Sequence, residues 1–224
     1  MTQPLPPENS EDARRFAPAT QRNRDPILAV LKAVLPATGT ILEVSSGTGE
    51  HAAYFAPQLA PRQWLPSDPD PSACASIAAW QAHYPDPNLH LPLPLDAREP
   101  LWSVEIMGSV VPGLDLAAHP IGAIACINLL HIAPWSAGLG LMAGAQRILP
   151  PGGILYLYGP FHRDGQPTSL GNAEFDQNLR SQNPEWGIRD LHTVVTAAEA
   201  HNLHWCDTVA MPANNLSVIF QKSG

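Results

Sequence analysis

The run Thr40-Ile41-Leu42-Glu43-Val44-Ser45-Ser46-Gly47-Thr48-Gly49 decides the fold. Ile41, Leu42 and Val44 are too few for a helix, and so short an apolar run, ending in small residues, is the pattern of a buried parallel strand. The chain then turns through Gly47 and Gly49, where a missing Cβ lets a bulky ligand approach the backbone. Residues 50–56, Glu-His-Ala-Ala-Tyr-Phe-Ala, follow as a helix with free N–H groups at its start. Strand, glycine turn and helix together predict a nucleotide-type site at the carboxyl edge of an α/β sheet. Gly47 to Ala52 also spells G-x-G-x-x-A, a spacing that dinucleotide folds use, so an NAD(P) reading stays open at this point.

Composition narrows the classes. A chain of 224 residues is the length of one domain, with enough apolar residues (45%) for a substantial core. Twelve Lys and Arg against 20 Asp and Glu leave a formal net charge of −8, and no basic run occurs. Nucleic acid and anionic membranes are therefore not expected as partners. Cys74, Cys126 and Cys206 show neither metal nor redox spacing, so no metal is expected and the thiols read as reduced. The longest apolar stretch, residues 121–132, carries Asn128 and His131 and is too short to span a bilayer. The N-terminus lacks the layout of a signal peptide, so a cytoplasmic protein is expected.

Outward from the glycine turn, residues 1–21 read as a proline-rich extension or lid. Arg22-Asn23-Arg24-Asp25-Pro26 stands ahead of an amphipathic helix carrying Ile27, Leu28, Leu31, Val34 and Leu35. Gln63 to Asp68 is a second strand ending in an acid, about 20 residues after the turn, the spacing at which a carboxylate accepts ribose hydroxyls. The competing reading of Asp68 is a cap for the helix from Pro71 to His83, but Asp70 can cap that helix while Asp68 binds, and binding is the reading taken for Asp68. Leu89 to Leu95 predicts an edge strand, because Pro92 and Pro94 cannot donate to a ladder. Trp102, Val104, Ile106 and Val110 suggest a further helix, broken at Pro112-Gly113. Residues 121–128 read as a central strand whose exit places Asn128 and His131 at the ligand edge. A helix over 136–149 and a strand over 154–158 follow, then a helix over 191–202 and an antiparallel pair over 203–210 and 216–221.

The spacing Glu43-x-x-x-Gly47-x-Gly49 resembles the first motif of class I S-adenosylmethionine-dependent methyltransferases, with Ser45 where that family usually has glycine. The resemblance implies a Rossmann-like three-layer α/β sandwich. Its sheet has seven mostly parallel strands, with a C-terminal antiparallel strand. It also implies S-adenosyl-L-methionine as cofactor, held by Glu43, Ser45, Gly47, Gly49, His51, Asp68 and Asn128, with Asp96 and Ala97 at the adenine. Further stretches carry a closer likeness: Arg22-Asn23-Arg24-Asp25-Pro26, Ser45-Ser46-Gly47-Thr48-Gly49-Glu50-His51, Asn128-Leu129-Leu130-His131-Ile132-Ala133-Pro134-Trp135, Asn172-Ala173-Glu174-Phe175-Asp176, Trp186-Gly187-Ile188-Arg189-Asp190 and Met211-Pro212-Ala213-Asn214-Asn215. Together they resemble the methyltransferase-like family that includes methyltransferase-like protein 26.

Residues 159–190 exceed what a generic methyltransferase needs and read as a substrate-side insertion or a dimer contact. The expected substrate-binding residues are Asn23, Arg24, Trp135, Asn172, Asp176, Arg180, Trp186, Arg189 and Asn214. His131 is the candidate general base, with Tyr158 and His162 behind it, all at strand exits. The expected reaction is methyl transfer to a small polar acceptor. The alternatives are a non-catalytic module that binds the cofactor or its demethylated product, and a dinucleotide-dependent oxidoreductase.

Overall fold

The computed structural model describes residues 12–106 and 111–224. Within it β1 (Thr40–Val44) is buried along its whole length, as an apolar run between two neighbours must be. It pairs in parallel with β2 (Gln63–Asp68) on one side and with β4 (Ile121–Ile127) on the other. The main sheet runs β3-β2-β1-β4-β5-β8-β7, where β3 is Leu93–Pro94, β5 Ile154–His162, β7 Leu203–Met211 and β8 Asn215–Lys222. Only β8 runs antiparallel, to both β5 and β7. β6 (Arg189–Asp190) pairs with the last two residues of β5. The expected α/β sandwich with a C-terminal antiparallel strand is thus the observed fold. The strand order reverses between β1 and β4, so a crevice opens at their carboxyl ends, where open α/β sheets bind ligands.

Alternation along the strands sends successive side chains into two cores. Ile41, Trp64, Ala125, Tyr156 and Ile219 meet α1 (Pro18–Val34) and α2 (Glu50–Gln58) through Ile27, Leu31, Ala52 and Phe55. Leu42, Ile124, Leu157 and Phe220 form the opposite core with α4 (Trp135–Ile148) and α6 (Leu191–Glu199) through Leu141, Met142, Val194 and Ala198. α3 (Pro71–His83) follows β2, and α5 (Leu170–Gln182) follows β5. Among the described residues no helix is long and apolar enough to cross a membrane.

Four expectations need correction. The helix expected from Ile27 begins at Pro18, so Arg22 to Pro26 lie inside α1 and not ahead of it. Pro26 forfeits one backbone bond, but Thr20, Asn23, Ile27 and Leu31 are buried along the helix, and that burial outweighs it. The helix expected around Trp102 reduces to a single turn at Ser103–Glu105, with Val110 outside the described residues. Trp102 is buried against α4 and Ile106 is exposed, so these apolar residues anchor a loop and do not share one helical face. The strand expected over 89–95 pairs only at Leu93–Pro94, with an isolated bridge at Leu89, as its prolines require. The strand expected to end at Tyr158 continues to His162, because β8 and β6 supply partners along Gly159 to His162. Residues 1–11 of the expected extension lie outside the described residues. The segment after them rests on α3: Arg15 N–H donates to Ser76 Oγ (2.8 Å) and Trp80 Nε1 donates to the Arg15 carbonyl (3.1 Å).

Candidate functional site

The glycine loop is left-handed at three places, with φ of 61° at Ser45, 58° at Gly47 and 84° at Gly49. A Cβ on Gly47 would meet nothing within 4 Å, so this is the face a ligand can approach. A Cβ on Gly49 would stand 2.8 Å from the Ile77 Cα and 2.9 Å from its Cγ1. The expectation that both glycines admit a ligand is therefore corrected: Gly49 lets α2 and α3 come together, and Gly47 alone faces open space. Ser45 carries the strain that glycine would avoid, and its hydroxyl has no partner among the described residues. Ser45→Gly is expected to raise stability by roughly 0.5–1 kcal/mol, measured as an upward shift in urea midpoint. An unchanged or lower midpoint would show that the left-handed turn costs this chain nothing.

The acids divide their tasks. Glu43 is 1% exposed, and its Oε2 accepts from Trp64 Nε1 at 3.0 Å. Burial pushes its pKa up to about 7, with Trp64 and Ser46 pulling it back. Asp68 closes β2 and accepts from Gly47 N–H (2.9 Å) and Asp70 N–H (3.0 Å), which leaves lone pairs on both carboxylate oxygens. Burial raises its pKa, and these two backbone bonds oppose the shift. Asp70, not Asp68, caps α3 by accepting from Ser72 N–H at 2.9 Å. Asp96 follows β3 and is held by Arg98, which lowers its pKa. The carbonyl of Ala97 lies against Gly140 of α4, where a Cβ would approach within 2.2 Å. His51, in the first turn of α2, shares a 2.8 Å hydrogen bond between its Nε2 and Asn23 Oδ1, stacks on Phe55, and is pushed to a pKa of about 4 by burial and then by Arg24.

Five of the expected residues converge. Asn23, Asn128, His131, Tyr158 and Asn172 line one cavity of about 380 Å³, together with Arg22, Phe175 and Asn215. Asn128 turns the chain out of β4 in a left-handed conformation (φ 65°), its N–H donating to the Tyr158 carbonyl at 2.8 Å. His131 is 5% exposed and lies edge-on to Phe175, with ring centroids 5.6 Å apart. Burial, with Arg189 behind it, lowers its pKa to about 4, so the imidazole is neutral at pH 7. Burial raises the Tyr158 hydroxyl, while Asn23 and the charge of Arg22 pull it back. The Asn23–His51 bond ties this cavity to the first turn after the glycine loop.

The other expected substrate and base residues do not line this cavity. Asp176 accepts from Arg180 Nε (2.8 Å) and Ile188 N–H (2.6 Å) and faces His162 at 3.8 Å; the buried Nδ1 of His162 has no partner among the described residues, and none of these groups lines the cavity. Arg189 donates to the carbonyls of Leu130, Ala133 and Glu185, with its guanidinium 5.9 Å from the Trp135 ring, and so staples the segment after β4. Trp186 closes a turn through Asn183. Arg24 stacks on Tyr54, 4.3 Å from the ring centroid, on the outer side of α1. Asn214 contributes its carbonyl to Asn172 Nδ2 (3.3 Å), with its side chain beyond the cavity wall. Among the described residues no group of three metal-ligating side chains occurs.

Arg22 lines the cavity although it is not among the expected site residues. Ala19, Arg22 and Asn23 stand at helical i, i+3, i+4 spacing and share a face, a signal that disappears when the helix is started at Ile27.

Solved structures share this architecture. An O-methyltransferase family protein from Burkholderia thailandensis matches with a TM-score of 0.70 at 12% identity, over 89% of this chain and 56% of that one. An O-methyltransferase family 2 protein from Planctomyces limnophilus, solved with apigenin, gives 0.67 at 17%, over 89% and 60%. Human N-acetylserotonin methyltransferase, solved with SAM, gives 0.63 at 12%, over 90% and 55%. At these identities the likeness is one of fold, and the chain spans little more than half the length of those proteins. Residues 14–222 match the family described as a protein of unknown function, DUF938, and the chain belongs to that family.

Proposed function

We propose that the protein is an S-adenosylmethionine-dependent methyltransferase acting on a small polar acceptor, and that within its family it stands near the methyltransferase-like group that includes methyltransferase-like protein 26. The observation that supports this most is the pairing of two features at the strand-order reversal. One is a glycine loop open at Gly47 beside the Asp68 carboxylate; the other is a separate polar cavity that begins at Asn128 and is joined to the loop helix by the Asn23–His51 bond. Asp68 has the lone pairs to accept ribose hydroxyls, and Gly47 has the open face to admit a nucleoside. When bound, the cofactor supplies an electrophilic methyl group. The chain's own work is then alignment and exclusion of water. Asn128 and Asn172 orient the acceptor through their carboxamides. His131, neutral at pH 7, offers a ring nitrogen that hydrogen-bonds the acceptor and takes its proton only as a weak base, its pKa lying near 4, and Tyr158 stays protonated as a donor.

The test is calorimetric titration with S-adenosylmethionine, S-adenosylhomocysteine and NAD. The two sulfur ligands should bind saturably and NAD should not. Asp68→Ala should weaken both by about ten-fold or more, the loss of a charge-assisted hydrogen bond. Preference for NAD, or no binding of either sulfur ligand, would overturn the reading.

A further inference from the structure

The cavity beside the glycine loop carries charge of one sign. Arg22 reaches it from α1 and forms neither a hydrogen bond nor an ion pair among the described residues, and no Asp or Glu lines the walls. The remaining polar lining is neutral: carboxamides of Asn23, Asn128, Asn172 and Asn215, a phenol and an uncharged imidazole. Behind His131, Arg189 donates to three backbone carbonyls and forms no ion pair among the described residues, with Asp176 the carboxylate whose charge acts on it. A chain of net charge −8 therefore places at this cavity a guanidinium that has no carboxylate partner among the described residues. The walls are built for it. Asn128 and Ala213 are left-handed without being glycine, at φ 65° and 57°, and Asn172 is tied to Thr168 Oγ1 (2.8 Å) and the Asn214 carbonyl. Backbone strain of this kind persists where the surroundings over-determine it, as they do at ligand sites.

We propose that the methyl acceptor carries an anionic group, a carboxylate or a phosphate, which Arg22 binds, with the acceptor's nucleophilic end directed at Asn128 and His131. The inference rests on the methyltransferase reading for the word acceptor, but the anion site itself does not need it. A guanidinium presents a planar fork of donors that matches either oxyanion. The carboxamides have donors to spare for the remaining oxygens and no charge to repel them. Arg22 reaches the cavity from α1, whereas Asn128 and His131 reach it from the exit of β4, so the two ends of the acceptor are held by different elements.

The experiment uses the full chain saturated with S-adenosylhomocysteine and two matched probe pairs, benzoate with benzamide and phenyl phosphate with phenol, read by saturation-transfer NMR and calorimetry. The charged member of at least one pair should bind about ten-fold more tightly than its neutral partner. The pair that shows the preference tells carboxylate from phosphate. Arg22→Gln should remove the preference and Arg22→Lys should restore part of it, the charge without the planar fork, while the thermal midpoint of both variants stays near the wild-type value, because Arg22 is exposed and forms no hydrogen bond or ion pair among the described residues. Equal binding of charged and neutral partners, no binding of either anion, or a preference that survives Arg22→Gln would each overturn the proposal. Failure to bind S-adenosylhomocysteine would instead strike the methyltransferase reading, and the same probe pairs on the free chain would then decide the anion site alone.

Discussion

Gly49→Ala is expected to destabilise the protein by roughly 3–4 kcal/mol, far more than the same change at Gly47. Two costs add at Gly49. Its φ of 84° is left-handed, which charges a residue with a Cβ about 1–2 kcal/mol. The new methyl would also press on Ile77, 2.8 Å from its Cα and 2.9 Å from its Cγ1, and overpacking adds about 1–3 kcal/mol. Trimming Ile77 does not cure the contact, because the nearest atom belongs to the backbone of α3. At Gly47 the φ of 58° carries the first cost only, and the methyl points into open space. Urea unfolding should show the Gly49 variant's midpoint falling by roughly 1–2 M, with Gly47→Ala losing less than half as much. The ligand titrations should invert that order. Gly47→Ala obstructs the face left open beside Asp68 and should lose cofactor affinity while still folded. Equal stabilities for the two variants would refute the division of labour between these glycines.

The second large effect is a pH dependence. Glu43 has its folded pKa raised from 4.5 to about 7 by burial within β1. The folded state therefore binds a proton that the unfolded chain releases between these values. The stability this proton confers is fully present below pH 4.5 and is lost as pH rises through 7. At 1.36 kcal/mol per unit the loss amounts to roughly 3 kcal/mol. Glu43→Gln keeps an oxygen to accept from Trp64 Nε1 and removes the titration. Its stability relative to wild type should thus improve by roughly 3 kcal/mol between pH 4.5 and pH 8. Urea unfolding of both proteins at the two pH values gives this double difference, in which the histidines and exposed acids common to both cancel. A double difference near zero would mean that Glu43 titrates as an ordinary surface carboxylate.

Much of the sheet was legible because its signals are local. The run from Ile41 to Val44 has no room for a helical period, Pro92 and Pro94 bar a central strand, and Met211 to Asn215 is too short for anything but an antiparallel connection. Asp68 at the end of β2 and Asn128 at the end of β4 follow from the same patterns, since the exit of a buried strand faces the crevice. The misread segments are those where a local signal was overruled by packing. Pro26 marked a helix start until the burial of Asn23 and Thr20 carried α1 past it. Trp102 and Ile106 looked helical until Trp102 inserted against α4 and left Ile106 in solvent.

The sequence alone, then, determined the strand–turn–helix at residues 40–56, the strand exits and the class of fold, because strand and helix periods are written within ten or so neighbouring residues. Tertiary structure alone decided what each polar group does. It set Gly49 against Ile77, turned His162 toward Asp176, and brought Arg22, Asn128, His131, Tyr158 and Asn172 to one cavity. A side chain's partners, burial and charge state depend on groups tens to hundreds of residues away in the chain, and only the pairing of β1, β4, β5 and β8 brings those groups within reach.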